Sequence, residues 1–404
     1  MMPMDGTAGV RGSRMVDEAL LNDVAAIEAA DPGGMLRATA SAGAQVRESA
    51  ALAAEANFSG LGEEGRPRAV VVAGQGTAAR TGDLLATVAG VRCPVPVITH
   101  RSTGVPGWVG AGDVVIAVSA SGRSPEALGA ADAAARRGAR LVAIGPADSQ
   151  LQSVAERARA PFIAVPRRAP ARASIWALSV PVLLAARALG LVKVNEADFA
   201  ETAARLDADA DRCRPTAESF VNPAKSLALD LAGSIPIVWG SSPLATVAAR
   251  RFSDTLSSNA RYPALSDALG EAGRGAVGLL DGVFGALAET GRDIFADPDE
   301  GADEPAHTRL RVVLLRDGGI DDEHRDDNEP AAVEERRAEA VAALAEARGI
   351  RVSTITAEGG SALERLASLV AVPDFTSIYL AMAHGLDPMA VPAVEEMKQR
   401  SQQP

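Results

Sequence analysis

Three hydroxyl side chains follow an apolar run in the stretch VVIAVSASGRSPEAL, which spans residues 114–128. Ser119, Ser121 and Ser124 lie within six residues, and Gly122 stands between the last two. Serine hydroxyls, a glycine that lets the backbone approach closely and the free N–H groups of a helix N-terminus together form an anion site that fits phosphate. The alternative is a turn in which Ser124 only caps the helix. Three hydroxyls after one buried strand favour phosphate binding.

A glycine-rich loop, GQGTAAR at residues 74–80, follows an earlier apolar run. Its G-x-G-x-x-A spacing is a variant of the dinucleotide-binding fingerprint, which expects an acidic residue about 20 positions later. That position falls in ITHRS (98–102), which contains an arginine and no acid. An arginine can accommodate the 2′-phosphate of NADP, so an NADP-binding enzyme is one hypothesis. A tight strand-to-helix turn is the structural alternative.

Composition excludes several classes of partner. The 404 residues carry a formal net charge of −12, whereas nucleic acids and anionic membrane surfaces require clustered lysine and arginine. The two cysteines and four histidines have no metal-ligand spacing, so we expect neither a metal nor a cofactor. The N-terminus has no apolar signal segment, and no run reaches the roughly 18 apolar residues of a membrane span. We therefore expect a cytoplasmic protein.

Short apolar runs alternate with alanine-rich helical patterns, which is typical of an α/β fold with a parallel sheet. The pattern at residues 68–88 restarts at residues 234–256, which indicates an internal duplication. We therefore predict two lobes, each a doubly wound parallel sheet flanked by helices. The predicted strands lie at residues 68–74, 95–100, 113–120, 140–146, 160–166, 234–240, 276–282, 310–317 and 350–357.

The predicted domain organisation follows from these elements. It comprises an N-terminal helical segment (1–64), a first lobe with the phosphate loop (65–190), a helical linker (191–215), a second lobe (216–380) and a C-terminal helix (381–404). An acidic stretch rich in proline and glycine, at about residues 293–330, is predicted to be a loop insertion in the second lobe.

The S-x-S-G-x-S-x-E spacing of residues 119–126 resembles the S-x-S-G-x-T-x-E loop of sugar isomerase (SIS) domains, which bind phosphosugars. From about residue 65 to the C-terminus, apart from the acidic insert, the chain resembles the bifunctional phosphoglucose/phosphomannose isomerase family. That resemblance implies two SIS lobes, a homodimer and metal-independent interconversion of aldose and ketose 6-phosphates. It also places the family's active-site arginine at Arg172, in ARASIWALSVPVL, and its active-site lysine at Lys398, in HGLDPMAVPAVEEMK.

The chain departs from the family in its first loop, which reads G-M-G-G-S in the family. Gly74 and Gly76 match, but the phosphate-binding serine falls on Ala78. Thr77 is then the hydroxyl that remains beside the two glycines.

The chain also departs at the catalytic positions. The family's N-E-N-A-K segment reads SSNAR at residues 257–261, so that Ser258 replaces the catalytic glutamate. The family's P-E-x-x-H-N segment reads GEAGRG at residues 270–275. Its histidine, which reaches the site from the other subunit, falls on Arg274, whereas its glutamate is retained as Glu271.

These departures bear directly on the chemistry. Aldose–ketose isomerisation needs a base that moves a proton between C1 and C2. Neither a serine hydroxyl without an activating partner nor a guanidinium accepts a proton at neutral pH. Glu271 is the obvious carboxylate nearby, and a structural turn or a subunit contact is the alternative role for it.

We therefore predict a phosphosugar-binding protein whose isomerase activity is weak or lost. Three alternatives stay open: an active isomerase with a relocated base, a non-catalytic sugar-phosphate sensor or partner subunit, and an NADP-binding enzyme. Two histidines are further candidates for chemistry. His100 ends a predicted strand on the side where ligands bind, with Arg101 beside it as an equal candidate, and His384 lies near the end of a predicted helix, where capping or packing is the alternative.

Overall fold

The structure is a computed structural model that describes residues 16–56, 58–288, 309–318 and 330–401. Most of the predicted acidic insert therefore lies outside the described residues. Two parallel sheets form the framework. The first contains β1 (Val70–Ala73), β2 (Val97–His100), β3 (Val114–Val118), β4 (Arg140–Gly145) and β5 (Phe162–Ala164). The second contains β6 (Ser234–Gly240), β7 (Leu265–Ala268), β8 (Arg309–Arg316) and β9 (Val352–Thr356).

Helices cover both sheets and form the N-terminal segment. They are α1 (Val24–Ala30), α2 (Met35–Ala40), α3 (Ala42–Glu55), α4 (Ser59–Glu63), α5 (Thr77–Ala89), α6 (Pro125–Arg136), α7 (Gln150–Ala158), α8 (Ile175–Ala188), α9 (Glu196–Arg212), α10 (Pro223–Leu231), α11 (Pro243–Thr255), α12 (Leu269–Ala272), α13 (Pro330–Glu346), α14 (Ala362–Ala383) and α15 (Pro392–Ser401).

The two sheets share one topology. The strand order is β2-β1-β3-β4-β5 in the first and β7-β6-β8-β9 in the second, and every pair is parallel. The second sheet thus repeats the order of the first without its fifth strand. This arrangement confirms the predicted fold class of two lobes built on parallel sheets, and it is what an internal duplication predicts.

Alternate residues of each strand face different helices, as a doubly wound sheet requires. In β1, Val71 and Ala73 pack with α6 and α7, whereas Val70 and Val72 pack in the core that includes α5 and α8. That second core is continuous through α11 and α14 into the other lobe. Helices α5 and α11 pack together, and Arg80 Nε donates to Asp254 Oδ2 at 2.6 Å between them. The two lobes therefore share one hydrophobic core.

Helix α14 is the central helix of this shared core. It is long and apolar enough to cross a membrane, which the sequence analysis did not anticipate, but its apolar window is entirely buried within the fold. Because a buried core helix meets the same criteria of length and hydropathy, α14 is explained by packing alone.

One predicted strand was wrong and one strand was missed. Residues Ala276–Asp281 form a 3₁₀ helix rather than a strand, because Gly275, Gly278 and Gly282 interrupt the apolar run and weaken a strand. The real strand of that region is β7, which pairs with β6 and has partly exposed residues throughout. An edge strand of this kind lacks the continuous apolar run that marks a buried one.

Candidate functional site

The loops after β1 and β3 lie at the point where the first sheet changes winding direction. The chain leaves β1 for α5 on one face, and leaves the adjacent β3 for α6 on the other. In open parallel sheets, ligands bind at this point, beyond the carboxyl ends of the strands. A Cβ on Gly74 would lie 2.8 Å from the carbonyl oxygen of Val118, so the glycine is needed for the two loops to approach each other. The fold thus brings both predicted glycine- and serine-containing loops to one edge of the sheet, and the space between them is called the crevice below.

The phosphate loop, residues 119–124, is a compact turn held by its own hydroxyls. Ser119 is buried, and its Oγ lies 3.4 Å from Ser121 Oγ and 3.4 Å from the backbone N–H of Ser124. Ser121 Oγ accepts a hydrogen bond from the N–H of Arg123 at 3.2 Å. These contacts order the loop directly ahead of the N-terminus of α6, where the helix dipole favours an anion.

Ser124 differs from an ordinary capping serine. It occupies the N-cap position of α6, but its hydroxyl makes no capping hydrogen bond. Ser149 and Ser242, by contrast, cap α7 and α11 through their side chains. The Oγ of Ser124 is buried without a hydrogen-bond partner among the described residues. A buried hydroxyl left unsatisfied costs about 1–3 kcal/mol, so a ligand oxygen at this point would remove that cost.

Gly122 sets the shape of the phosphate loop. Its φ is +68°, and a Cβ there would lie 2.3 Å from Ser149 Cβ. We expect Gly122→Ala to weaken sugar-phosphate binding at least tenfold and to lower the melting temperature, because the left-handed backbone alone costs about 1–2 kcal/mol and the clash adds to it. Gly138→Ala is a suitable control: its φ is +69°, but the nearest atom to its Cβ is 4.0 Å away. Equal affinity of the two variants would contradict this role of the loop.

The first loop, with Gly74, Gly76 and Thr77, borders the same crevice. Gly76 has a φ of +55° and precedes Thr77, the first residue of α5. Ala78, which stands where the family has a serine, is 4% exposed. Thr77 is partly exposed, so its hydroxyl lies at the helix N-terminus that faces the crevice.

Arg172 lies in a 3₁₀ turn (Ala171–Ala173) beyond β5, at the same edge of the sheet. Its Nη2 donates to the carbonyl oxygens of Pro388 at 2.7 Å and Met389 at 2.5 Å. Its Nε is buried without a hydrogen-bond partner among the described residues. Burial lowers the pKa of Arg172, and the nearby positive charge of Arg261 lowers it further. The structure therefore places a partly desolvated guanidinium against the loop that contains Pro388 and Met389.

A π-helical turn, Leu256–Ala260, continues α11 and carries Ser258. Ser258 is half-buried. Asn259 is buried, its Nδ2 donates to Ser377 Oγ at 2.9 Å, and its Oδ1 has no partner among the described residues. Sequence reasoning did not single out Asn259, although it lies in the quoted segment SSNAR. Because π turns occur often at functional sites, the turn itself marks this segment.

Arg261 joins the π-helical turn to the loop before α15. Its Nη2 donates to the carbonyl oxygens of Asp387, at 2.8 Å, and Ala390. Lys398 lies on α15, where every described residue is exposed. Glu395, three residues earlier on the same face of α15, raises the pKa of Arg172 by its charge. The predicted Arg172 and Lys398 therefore come from elements that lie beside each other.

Glu271 and Arg274 lie elsewhere in the chain. Both are exposed, in and just after α12. Glu271 lines a cavity of about 430 Å³ with Gly240 and Ser241, at the carboxyl edge of the second sheet. None of the three phosphate-loop serines lines that cavity. Within one chain, the structure does not bring Glu271 and Ser124 into a common cavity.

At the corresponding point of the second sheet, the loop hydroxyls already bind a carboxylate of the chain itself. Ser242 Oγ donates to Asp317 Oδ2 at 2.9 Å, and Ser241 Oγ accepts from the N–H of Asp317 at 3.1 Å. Arg365 Nε donates to the other oxygen of Asp317 at 2.8 Å. A carboxylate thus satisfies the donors that a phosphate would need, which distinguishes the second lobe from the first.

Three further candidates from the sequence are Arg101, His384 and His100, and packing or ion pairing accounts for the first two. Arg101 Nη2 bonds to Asp83 Oδ2 at 2.5 Å, so its charge is already paired. The ring of His384 stacks on Tyr262 with the centroids 5.6 Å apart, at the C-terminus of α14. His100 ends β2 at the ligand edge. Among the described residues, no group of three or more histidine, cysteine, aspartate or glutamate side chains could hold a metal ion.

Comparisons with known proteins agree with this geometry. A family profile described as the bacterial phospho-glucose isomerase C-terminal SIS domain matches residues 220–400. The bifunctional phosphoglucose/phosphomannose isomerase of Caldicellulosiruptor bescii is 27% identical over 82% of this chain and 88% of its own length. The protein of the same name from Thermoplasma acidophilum is 22% identical over 86% of this chain and 94% of its own length.

Solved structures show the same fold. The crystal structure of tagatose-6-phosphate ketose/aldose isomerase from Escherichia coli superposes with a TM-score of 0.63, at 15% identity over 89% of this chain and 94% of that one. A hypothetical protein from Thermus thermophilus superposes with a TM-score of 0.66, at 15% identity over 95% and 96%. At this identity the likeness concerns the fold alone.

Proposed function

Because the chain belongs to the bifunctional phosphoglucose/phosphomannose isomerase family, we propose that it binds a hexose 6-phosphate through its phosphate loop and has weak or no isomerase turnover. The observation that supports phosphate binding is the buried Ser124 hydroxyl at the N-terminus of α6, which has no hydrogen-bond partner within the described ranges. A phosphate oxygen would accept its hydrogen bond together with those of the free helix N–H groups.

The proposal of weak or absent isomerase turnover rests on the residues at the family's catalytic positions. Ser258 and Arg274 are unable to accept the proton that moves between C1 and C2. Glu271 is the retained carboxylate, and it lines a cavity with Gly240 and Ser241 of the second lobe rather than with the phosphate-loop serines. We accordingly propose a cytoplasmic homodimer in which Glu271 of one subunit faces the sugar bound by the other, with Arg172 and Lys398 as further contacts.

Substitution of Ser124 tests the binding site. We expect Ser124→Ala to weaken fructose 6-phosphate binding roughly ten- to a hundredfold, since a hydrogen bond to a charged group contributes about 1.5–3 kcal/mol. Calorimetric titration measures this directly. Ser153→Ala is the matched control, because the Ser153 hydroxyl bonds only to the Ser149 carbonyl oxygen on α7. Unchanged affinity in Ser124→Ala would refute the phosphate-loop assignment.

A coupled assay with glucose, fructose and mannose 6-phosphates tests the catalytic half. We expect turnover far below the range of about 1–10³ s⁻¹ that ordinary enzymes reach. Binding without turnover supports a sensor or a partner subunit, whereas stabilisation by NADPH alone would favour the dinucleotide hypothesis. Turnover at ordinary rates would contradict the proposal, and Glu271→Gln would then show whether Glu271 is the base.

A further inference from the structure

His100 is a half-buried histidine at the carboxyl edge of the first sheet that has no part in the proposed function. It is the last residue of β2, and its carbonyl oxygen accepts a hydrogen bond from the N–H of Gly74 at 3.1 Å. Its side-chain Nε2 is buried and has no hydrogen-bond partner among the described residues. An imidazole nitrogen in that position is costly unless something binds it.

The register of the sheet fixes the face on which the His100 side chain lies. His100 pairs with Ala73, and Ala73 packs with α6 and α7. Thr99 lies on the opposite face, where its hydroxyl donates to Asp83 Oδ1 of α5 at 2.8 Å. Because successive strand residues alternate between faces, His100 lies on the face that α6 covers.

The phosphate loop leads into α6 on this same face and at this same edge. His100, at the end of β2, and Ser124, after β3, therefore provide two buried polar atoms on one side of the sheet that have no partner in the part of the chain that the structure describes. One strand, β1, separates β2 from β3, so the backbones of these two strands are about 10 Å apart. A hexose held by its 6-phosphate at Ser124 can span that gap with its C1–C2 end.

We propose that His100 Nε2 hydrogen-bonds a hydroxyl of the sugar whose phosphate the loop 119–124 holds. This inference rests on the proposed function and adds the residue that distinguishes a sugar phosphate from free phosphate. A sugar hydroxyl both donates and accepts, so it satisfies Nε2 in either tautomer of the ring. The preference for a sugar phosphate over free phosphate then comes from a residue in the first lobe of the same chain. It requires neither Ser258 nor Arg274.

The test compares fructose 6-phosphate with inorganic phosphate by calorimetric titration of the full-length protein. We expect His100→Phe, which keeps a ring and removes the nitrogens, to weaken fructose 6-phosphate binding about three- to tenfold and to leave phosphate binding unchanged. His100→Gln, whose amide can replace Nε2, should recover part of the loss. Ser124→Ala should weaken both ligands.

The outcomes separate this inference from the proposed function. If His100→Phe binds fructose 6-phosphate as tightly as the parent does, the role of His100 is overturned and the phosphate site is unaffected. The same conclusion follows if His100→Phe loses equal affinity for fructose 6-phosphate and for inorganic phosphate. A parent protein that binds neither ligand overturns the phosphate site and this inference with it. If His100→Phe does not fold, the imidazole ¹⁵N resonances of the parent protein provide the test, with His100→Gln used to assign the His100 signals. A chemical-shift change of His100 on addition of fructose 6-phosphate but not of phosphate supports the contact. The absence of any such change overturns it.

Discussion

Replacing Ser258 by glutamate together with Arg274 by histidine is expected to raise isomerase turnover on fructose 6-phosphate by about 10²- to 10⁴-fold. That range is the usual contribution of a positioned general acid or base. The pair restores, at the family's positions, a carboxylate that can move the proton between C1 and C2 and an imidazole that can serve ring opening. Both positions have room, since Ser258 is half-buried on the π-helical turn and Arg274 is exposed.

The single variants are expected to gain less than the pair, because groups that act on one reaction do not contribute additively. Ser257→Glu is the matched control: it adds the same charge to the same π-helical turn, one residue earlier, at an exposed position. A coupled assay of glucose 6-phosphate formation gives kcat, and titration confirms that affinity is retained. If the double variant binds fructose 6-phosphate but turns it over no faster than Ser257→Glu, the absence of these two groups does not limit isomerase activity in this chain.

The loop between β3 and α6 could be predicted from sequence because its determinants are local. A continuous apolar run marks β3 as a buried strand, and a proline after the last serine marks the start of α6. The unpartnered state of Ser124 was not predictable, since a serine before a helix normally caps it. In the folded loop, the Ser124 N–H lies within hydrogen-bond distance of Ser119 Oγ. Only this conformation shows that the Ser124 hydroxyl makes no capping hydrogen bond.

The remaining parts of the site depend on contacts between distant segments. Arg172 meets the carbonyl oxygens of residues 388 and 389, more than 200 positions away. No periodicity in the sequence encodes that contact, and family resemblance alone pointed to Arg172. Asn259 was missed for a related reason: its burial and its hydrogen bond to Ser377 of α14 arise from packing between distant segments. The strand β7 escaped detection because an edge strand lacks the apolar run of a central one.

The second large effect is expected from Arg251→Met, which removes one partner of a buried ion pair behind the site. Arg251 Nη2 donates to Asp374 Oδ2 at 2.6 Å, and both side chains are at most 10% exposed. The same Nη2 donates to the carbonyl oxygen of Arg172 at 3.1 Å, so the pair also supports the candidate site. Loss of one partner of such a pair costs about 3–5 kcal/mol, because the other charge stays buried alone.

The pH dependence of this variant identifies the cause. Burial raises the pKa of Asp374, and Arg251 opposes that rise, so the pKa should rise further in Arg251→Met. Between its unfolded and folded pKa values the native state then binds more protons than the unfolded state, and stability falls as pH rises through that window. Arg251→Met should therefore lose less melting temperature, relative to the parent, at about pH 5 than at about pH 8. Adding Asp374→Leu, which removes the stranded charge, should abolish this dependence; a deficit that is equal at both pH values would mean that lost packing, rather than the unpaired carboxylate, destabilises the core.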